Sequence, residues 1–425
     1  MPERRQWPAG TAASALKIVF LSPAAQNGGA EAVLCDVLGQ LREGRPGWSL
    51  HVLAGEDGPM LGKIRALNVP CEMLPFPGAV RSLGENRHDA GQPGNRPGFL
   101  GRCARLGGWM RAAAGVVLYT RSLRRRLRQL GPDLLHSNGM KMHLLGALAK
   151  WRGTPLIWHL HDYLGNRPAM KPILRRMAGR CALAIANSES VAADARQALP
   201  DGPPVRVVYN AVNLQIFRPD GPALDLDRLA GMPAFEHTGA LRIGLVATFA
   251  FWKGHEVFLR AAAADRVGHR YYVIGGPVYA TSGSQRTLAE LRALAGTLGI
   301  LDRVGFTGFV EDVPAAMRAL DIVVHASTER EPFGLVIVQA MACGRAVIVS
   351  AGSGAGELIE PGVDALTHSP GDAAGLAAAI ERLAKDPALR IRLGAAARAR
   401  VGRDFTPQRM RDELVPLYEK LFARC

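Results

Sequence analysis

The chain has 425 residues, a net charge of +15, 48% hydrophobic and 21% charged residues. That length is more than one typical domain and suits two of about 200 residues each, and the balance is that of a globular chain with sizeable cores, which excludes a disordered or fibrous one. No run approaches the roughly 20 apolar residues that cross a bilayer, and the start, with Arg4-Arg5 and an Ala/Gly-rich stretch broken by Lys17, makes a poor signal peptide.

In chain order, LKIVFLSP (16–23) reads as a strand ending in the loop AAQNGGAE, which carries Gly28-Gly29 and opens a helical pattern. SLHVLAG (49–55) is the next strand, and residues 77–100, rich in Gly, Pro, Asn and Arg, read as a mobile loop. A helix near 108–130 carries Arg121, Arg124, Arg125, Arg126 and Arg128 behind an apolar AAAGVVLY. Strands follow at 133–139, 155–162, 182–188 and 206–212, with helices between them. A Pro/Gly/Asp-rich linker with weak periodicity runs from about 217 to 238, and strands resume at 241–249, 269–277, 303–310, 321–327 and 346–352. The segment 407–422 has helical spacing. Alternating strands and helices indicate an α/β fold with doubly wound parallel sheets, here in two Rossmann-like halves with a cleft between them.

Charge divides the same way. Residues 1–220 carry 29 Lys/Arg against 15 Asp/Glu, and residues 221–425 carry 23 against 22. The excess lies on the first half, where the arginine helix suits either an anionic membrane surface or plain solvation. No aromatic-interleaved basic platform suggests nucleic acid. The cysteines at 35, 71, 103, 181, 343 and 425 form no CxxC pair and read as reduced residues of a cytoplasmic protein.

The chemistry concentrates at HASTEREPFGLVIVQAMACG (325–344). Glu331 precedes a Pro332-Phe333-Gly334 turn at the carboxyl end of a strand, where ligands bind in open parallel sheets, and Gln339 stands eight positions on. A carboxylate on a Gly-containing loop with a second polar group further along can grip a polyol at two depths. Lys253-Gly254, between a strand and a helix start, combines a point charge with free backbone N–H groups, which suits phosphate. His161-Asp162 closes the strand PLIWHLHD, with His159 read as packing.

These motifs resemble the retaining glycosyltransferases of family 4 (glycosyltransferase group 1). The resemblance implies the GT-B fold: residues 1–218 as an acceptor-binding Rossmann-like domain, 219–405 as a donor-binding one, and 406–425 as a helix crossing back to the first. It implies catalytic roles for His161, Glu331 and Lys253, and donor contacts from Gly28, Gly29, Thr248, Lys253, Gly275, Glu331, Phe333, Gly334, Leu335 and Gln339. Two positions depart from the family pattern. Gln339 stands where the family has a second Glu, and Thr248 stands where it has a basic residue. Glu357, in GSGAGELI, matches a family Glu and reads as capping or hinge structure.

The reaction implied is metal-independent transfer, with retention, of a hexose-type sugar from a nucleotide sugar to a hydroxyl acceptor such as a glycolipid or polysaccharide precursor, in the cytoplasm or at the inner membrane face. Neither a cofactor nor a metal is expected, the nucleotide sugar being a co-substrate, since no Asp-x-Asp stands out at a strand end and no His/Asp/Glu cluster has metal-ligand spacing. A catalytically weakened binding subunit is the alternative that Gln339 and Thr248 raise. A nucleotide-dependent oxidoreductase lacks its G-x-G-x-x-G fingerprint.

Overall fold

The computed structural model describes residues 16–26, 28–81, 99–151, 153–235, 239–277 and 285–423. Most of the expected loop 77–100 lies outside the described residues; its ends are a short helix, Gly78–Arg81, and the start of the helix Phe99–Leu130.

Two all-parallel sheets organise the chain. The first contains β1 (Lys17–Ser22), β2 (Ser49–Ala54), β3 (Cys71–Met73), β4 (Leu134–Asn138), β5 (Leu156–Leu160), β6 (Leu183–Ala186) and β7 (Val205–Val207), in the order β3-β2-β1-β4-β5-β6-β7. The second contains β8 (Arg242–Val246), β9 (Arg270–Ile274), β10 (Val304–Gly308), β11 (Ile322–His325), β12 (Ala346–Ser350) and β13 (Leu366–His368), in the order β10-β9-β8-β11-β12-β13. The central strands are continuous apolar runs, as strands covered on both faces must be: KIVFLS, LIWHL and AVIVS are buried almost throughout.

The order reverses once in each sheet, between β1 and β4 and between β8 and β11. At such a switch point adjacent crossovers leave in opposite directions and open a crevice beyond the strand ends. The chain therefore has two crevices, one at each switch point.

Helices bury both faces of each sheet. On one face of the first, Trp158, Tyr163, Leu123 and Leu127 join a single cluster. The other face is completed from the far end of the chain: Met410, Leu414, Val415, Tyr418 and Leu421 of the last helix, Pro407–Phe422, pack with Ile18, Phe20 and Leu134. The Tyr418 hydroxyl lies 2.6 Å from His136 Nδ1 inside this layer, and Arg45–Glu419 (2.7 Å) and Arg411–Glu43 (2.6 Å) tie its edges.

The segment read as a linker with weak periodicity is ordered against the second sheet. It contains a helix, Leu226–Ala230, whose buried Asp227 accepts from Arg270 (2.8 Å), Tyr272 (2.7 Å) and Arg242 (3.2 Å). Local periodicity misses it because these partners lie on β8 and β9.

Candidate active site

The second crevice is set by backbone contact between two loops. Gly254 has φ +74°, and a Cβ there would fall 1.8 Å from the carbonyl oxygen of Ala326 just beyond β11, so only glycine allows the approach. Thr328 N–H donates to Trp252 O (2.8 Å) beside it. The loop after β8 is thereby pressed onto the loop after β11, and Lys253 Nζ sits 2.7 Å from Glu331 Oε2.

Glu331 is buried, 6% exposed. Its Oε2 also accepts from Ser327 Oγ (3.0 Å) and faces His325 Nε2 (3.3 Å), and its backbone N–H donates to Ser353 Oγ (3.0 Å). Burial alone would push the carboxyl up; Lys253 and the His325 hydrogen bond outweigh it and hold the group well below the usual carboxylate range. The carboxylate is held in its ionised form beside Lys253 Nζ. His325 and Ser327 escaped the sequence reading, although both stand in the HAS that precedes Glu331.

Around this pair the other expected donor contacts divide. Gly334 opens the helix Leu335–Ala342, and Leu335 and Gln339, four apart, share one helical stripe. The Gln339 amide has no partner among the described residues and is open to solvent. The Phe333 ring is turned away into the core, 6.3 Å from Tyr209 and 6.1 Å from Phe405, so only its backbone faces the loop. Thr248 is half-buried between β8 and Lys253. Gly275 follows β9 with φ +133°, and a Cβ there would lie 2.1 Å from Ala247 O, so packing against the end of β8 explains that glycine.

The first crevice centres on neutral imidazoles. Gly28, in extended conformation, caps the Gly29–Gly44 helix, and the space around Gly29 is open. Asn138, the last residue of β4, donates from Nδ2 to Ala30 O (3.2 Å) and accepts from His161 Nε2 (2.5 Å). Burial pushes the His161 imidazole down to about 4 and His136 to about 3, and holds His143 and His159 well below their ordinary value. His159 is buried with neither ring nitrogen partnered and its ring 4.1 Å from that of His161, which makes it packing. Asp162 is engaged by Arg167 at 2.6 Å.

The two crevices are joined at one edge. The Glu357 carboxylate accepts from Glu189 N–H (2.8 Å) and Ser190 N–H (2.6 Å), capping the helix Glu189–Ala198 of the first unit, and from the Tyr209 hydroxyl (3.2 Å). Tyr163 of the first unit donates to Glu331 O (3.1 Å), and Arg330 lies 3.9 Å over the Tyr163 ring. His161 and Asn138 at one sheet and Lys253 and Glu331 at the other thus belong to units held in contact. Among the described residues no group of three His, Cys, Asp or Glu side chains is arranged to hold a metal, and no helix is long and apolar enough to cross a membrane.

Residues 235–400 match the model of glycosyl transferases group 1, and residues 27–216 that of glycosyltransferase family 4. The chain is 32% identical over 294 residues to the D-inositol 3-phosphate glycosyltransferase of Thermomonospora curvata, a match spanning 62% of this chain and 66% of that protein. It is 29% identical over 222 residues to a lipopolysaccharide core biosynthesis mannosyltransferase of Rhizobium leguminosarum, spanning 52% and 61%. The matches therefore cover less than two thirds of either relative. The crystal structure of Anabaena HepE in complex with UDP-glucose is similar in full, with a TM-score of 0.74, 26% identity, and 95% of this chain and 100% of that one covered. The two crevices, each at a switch point and joined by Glu357, have the two-domain GT-B arrangement, and the chain belongs to the group 1, family 4 glycosyltransferases.

Proposed function

We propose that the chain moves a hexose-type sugar from a nucleotide-sugar donor to a hydroxyl of a glycolipid or polysaccharide precursor, with retention at the anomeric carbon and without a metal ion. The observation that carries this reading is the Lys253–Glu331 pair, 2.7 Å apart at the switch point of the second sheet. Before donor arrives each charge satisfies the other. A diphosphate drawn to Lys253 frees the carboxylate to accept from sugar hydroxyls, so one exchange of partners prepares both contacts. The N-termini of the His255–Ala264 and Leu335–Ala342 helices add positive potential at the same loops.

In the reaction the C1–O bond to the diphosphate breaks, and its electron pair goes to the leaving phosphate. The acceptor oxygen bonds C1 from the same face and its proton passes to the departing phosphate oxygen. Glu331 Oε2, already engaged by three groups, suits holding hydroxyls better than attacking C1. Catalysis is then positioning and stabilisation of the leaving group, with His161 contacting the sugar from the other domain.

The likeness to HepE, whose structure holds UDP-glucose, makes UDP-sugars the first donors to try. A thermal-shift screen of nucleoside diphosphates is expected to find one that raises the melting temperature of the native chain and not of Lys253→Ala. If none does, or if the variant responds equally, the reading falls.

A cytoplasmic, membrane-surface setting belongs to the same proposal. On the Phe99–Leu130 helix Arg124 is spent on the carbonyls of Leu148 and Ala149, and Arg126 on Glu72. Arg121, Arg125 and Arg128 face outward without a carboxylate partner among the described residues, beside exposed Val117 and Leu118. That face suits an anionic membrane surface, each cation contributing about 1 kcal/mol. Co-sedimentation with anionic vesicles at moderate salt should fall in an Arg121→Glu, Arg125→Glu double variant; no binding by the native chain removes the membrane setting and leaves the reaction standing.

A further inference from the structure

We infer that Asn138 is a positioning residue that holds His161 as its Nε2–H tautomer, leaving Nδ1 as a bare hydrogen-bond acceptor that favours a donor sugar with a hydroxyl at the contacted position over one with a carboxylate. This rests on the donor-binding reading above.

Asn138 is 1% exposed at the end of β4, in register with His159 of β5. Its Nδ2 donates to the carbonyl of Ala30 at 3.2 Å, and its Oδ1 faces His161 Nε2 at 2.5 Å. Turning the amide over would set oxygen against the Ala30 carbonyl, two acceptors with no proton between them. The oxygen therefore faces the imidazole, and an oxygen that only accepts requires the proton on Nε2.

A neutral imidazole has a single N–H. Burial keeps His161 neutral, down to about 4, so Nδ1 carries a lone pair at physiological pH. That atom has no partner among the described residues and is not shut off from solvent. The surroundings do not change this assignment. His159, 4.1 Å away, and His136 and His143 beyond it are themselves held neutral, and the neighbouring Asp162 is taken by Arg167 through Nε (3.0 Å) and Nη2 (2.6 Å). A lone pair in this position accepts from a hydroxyl and is repelled by a carboxylate oxygen. Discrimination between a hydroxyl and a carboxylate at the contacted position is then set by which way one buried amide points.

Long-range 1H–15N correlation on the full-length chain with labelled histidine reads the tautomer directly, the His161 signals being assigned by their loss in His161→Ala. Bare Nδ1 with protonated Nε2 is expected; protonated Nδ1 overturns the inference whatever the activity. For the consequence, donor hydrolysis is compared for UDP-glucose and UDP-glucuronate, which differ only at C6. In Asn138→Asp a carboxylate faces Nε2 and stabilises the imidazolium, which donates from Nδ1. The preference for UDP-glucose should shrink by about tenfold or more, and the acid limb of the pH profile should move up. UDP binding by calorimetry, retained in the variant, shows that it folds. An unchanged ratio and profile in a variant that binds UDP overturn the inference. A native chain that neither binds UDP nor hydrolyses either sugar instead overturns the functional reading for these donors, and the tautomer measurement still decides the role of Asn138.

Discussion

At the switch point of the second sheet the site is an ion pair, Lys253 on Glu331, held by His325 and Ser327. At that of the first it is a row of neutral imidazoles, His161, His159 and His136, fixed at one end by Asn138 and at the other by Tyr418. The overall charge runs the opposite way, with nearly all of the positive excess on the first half and a nearly neutral second half. Surface charge and site charge are therefore set independently. The first unit carries arginines on its outer face, and in its crevice the Arg167–Asp162 pair is closed on itself beside neutral imidazoles. The second concentrates two opposite charges at one loop contact and is otherwise balanced.

The sharpest way to break this contrast is to remove the carboxylate. In Glu331→Ala the Lys253 ammonium loses its partner and His325 and Ser327 face a void. Activity should fall by at least about a thousandfold, measured as kcat/KM for donor hydrolysis, and stability by about 3 kcal/mol, the cost of breaking a largely buried pair. Retained turnover would mean the ion pair is structural and the chemistry lies elsewhere.

Acid separates the two halves next. His161, His136, His143 and His159 have folded-state values depressed below 6.5 by burial, so the unfolded chain binds protons that the native one refuses. Their contribution is whole above about pH 6.5 and is lost as pH falls below it, at up to about 1.4 kcal/mol per pH unit for each histidine. Glu331 is depressed from 4.5, so its contribution persists until pH falls below that value. Hydrogen exchange between pH 6.5 and 4.5 should thus show the first sheet, with four such histidines, opening further than the second, where His255, His269 and His368 are also lowered by burial. Simultaneous opening would show that the cross-domain contacts of Glu357 and Tyr163 weld the halves into one cooperative unit.

How much of this was legible in the sequence follows the same division. The long apolar strands announced themselves, and so did the two sheets. β3 and β13, three residues each at sheet edges, carry too little pattern to be seen, and the helix Leu226–Ala230 depends on Arg242, Arg270 and Tyr272 from later strands. In the site, Lys253 and Glu331 stand in loops with a recognisable order of residue types. Asn138 and Tyr418 do not: HSNG and PLYEK are ordinary text until the fold brings Asn138 to His161 and Tyr418 to His136. Contacts across 23 and 282 residues have no local signature.

Tyr418→Phe tests the anchored end of the imidazole row. It removes the ring hydrogen bond of a buried histidine whose Nε2 has no partner among the described residues, so a loss of about 1–2 kcal/mol is expected in denaturant unfolding. The extra exchange should be confined to the last helix and the first sheet, with Lys253-dependent nucleotide binding unchanged. A matching loss of nucleotide affinity would show the final helix coupling the two crevices.

The smallest expected effect concerns Gln339, and it bears most directly on whether the charged crevice is complete. The amide has no partner among the described residues and reaches solvent, so Gln339→Glu breaks no contact among them. Its cost is a negative charge in the second half of the Leu335–Ala342 helix, against the dipole, at about 0.3–1 kcal/mol. Its gain, if the side chain meets a ribose hydroxyl, is the difference between a charged acceptor at about 1.5–3 kcal/mol and a neutral one at about 1. Nucleotide affinity should rise modestly, by no more than about tenfold, with kcat little changed, because a ribose contact is as strong in the ground state as in the transition state. A large gain in kcat would mean that the native chain is crippled at this position and that Glu331 and Lys253 alone do not complete the site. An outright loss of nucleotide binding would place another carboxylate or the donor's own phosphates beside Gln339, in which case the neutral amide is the residue that position requires.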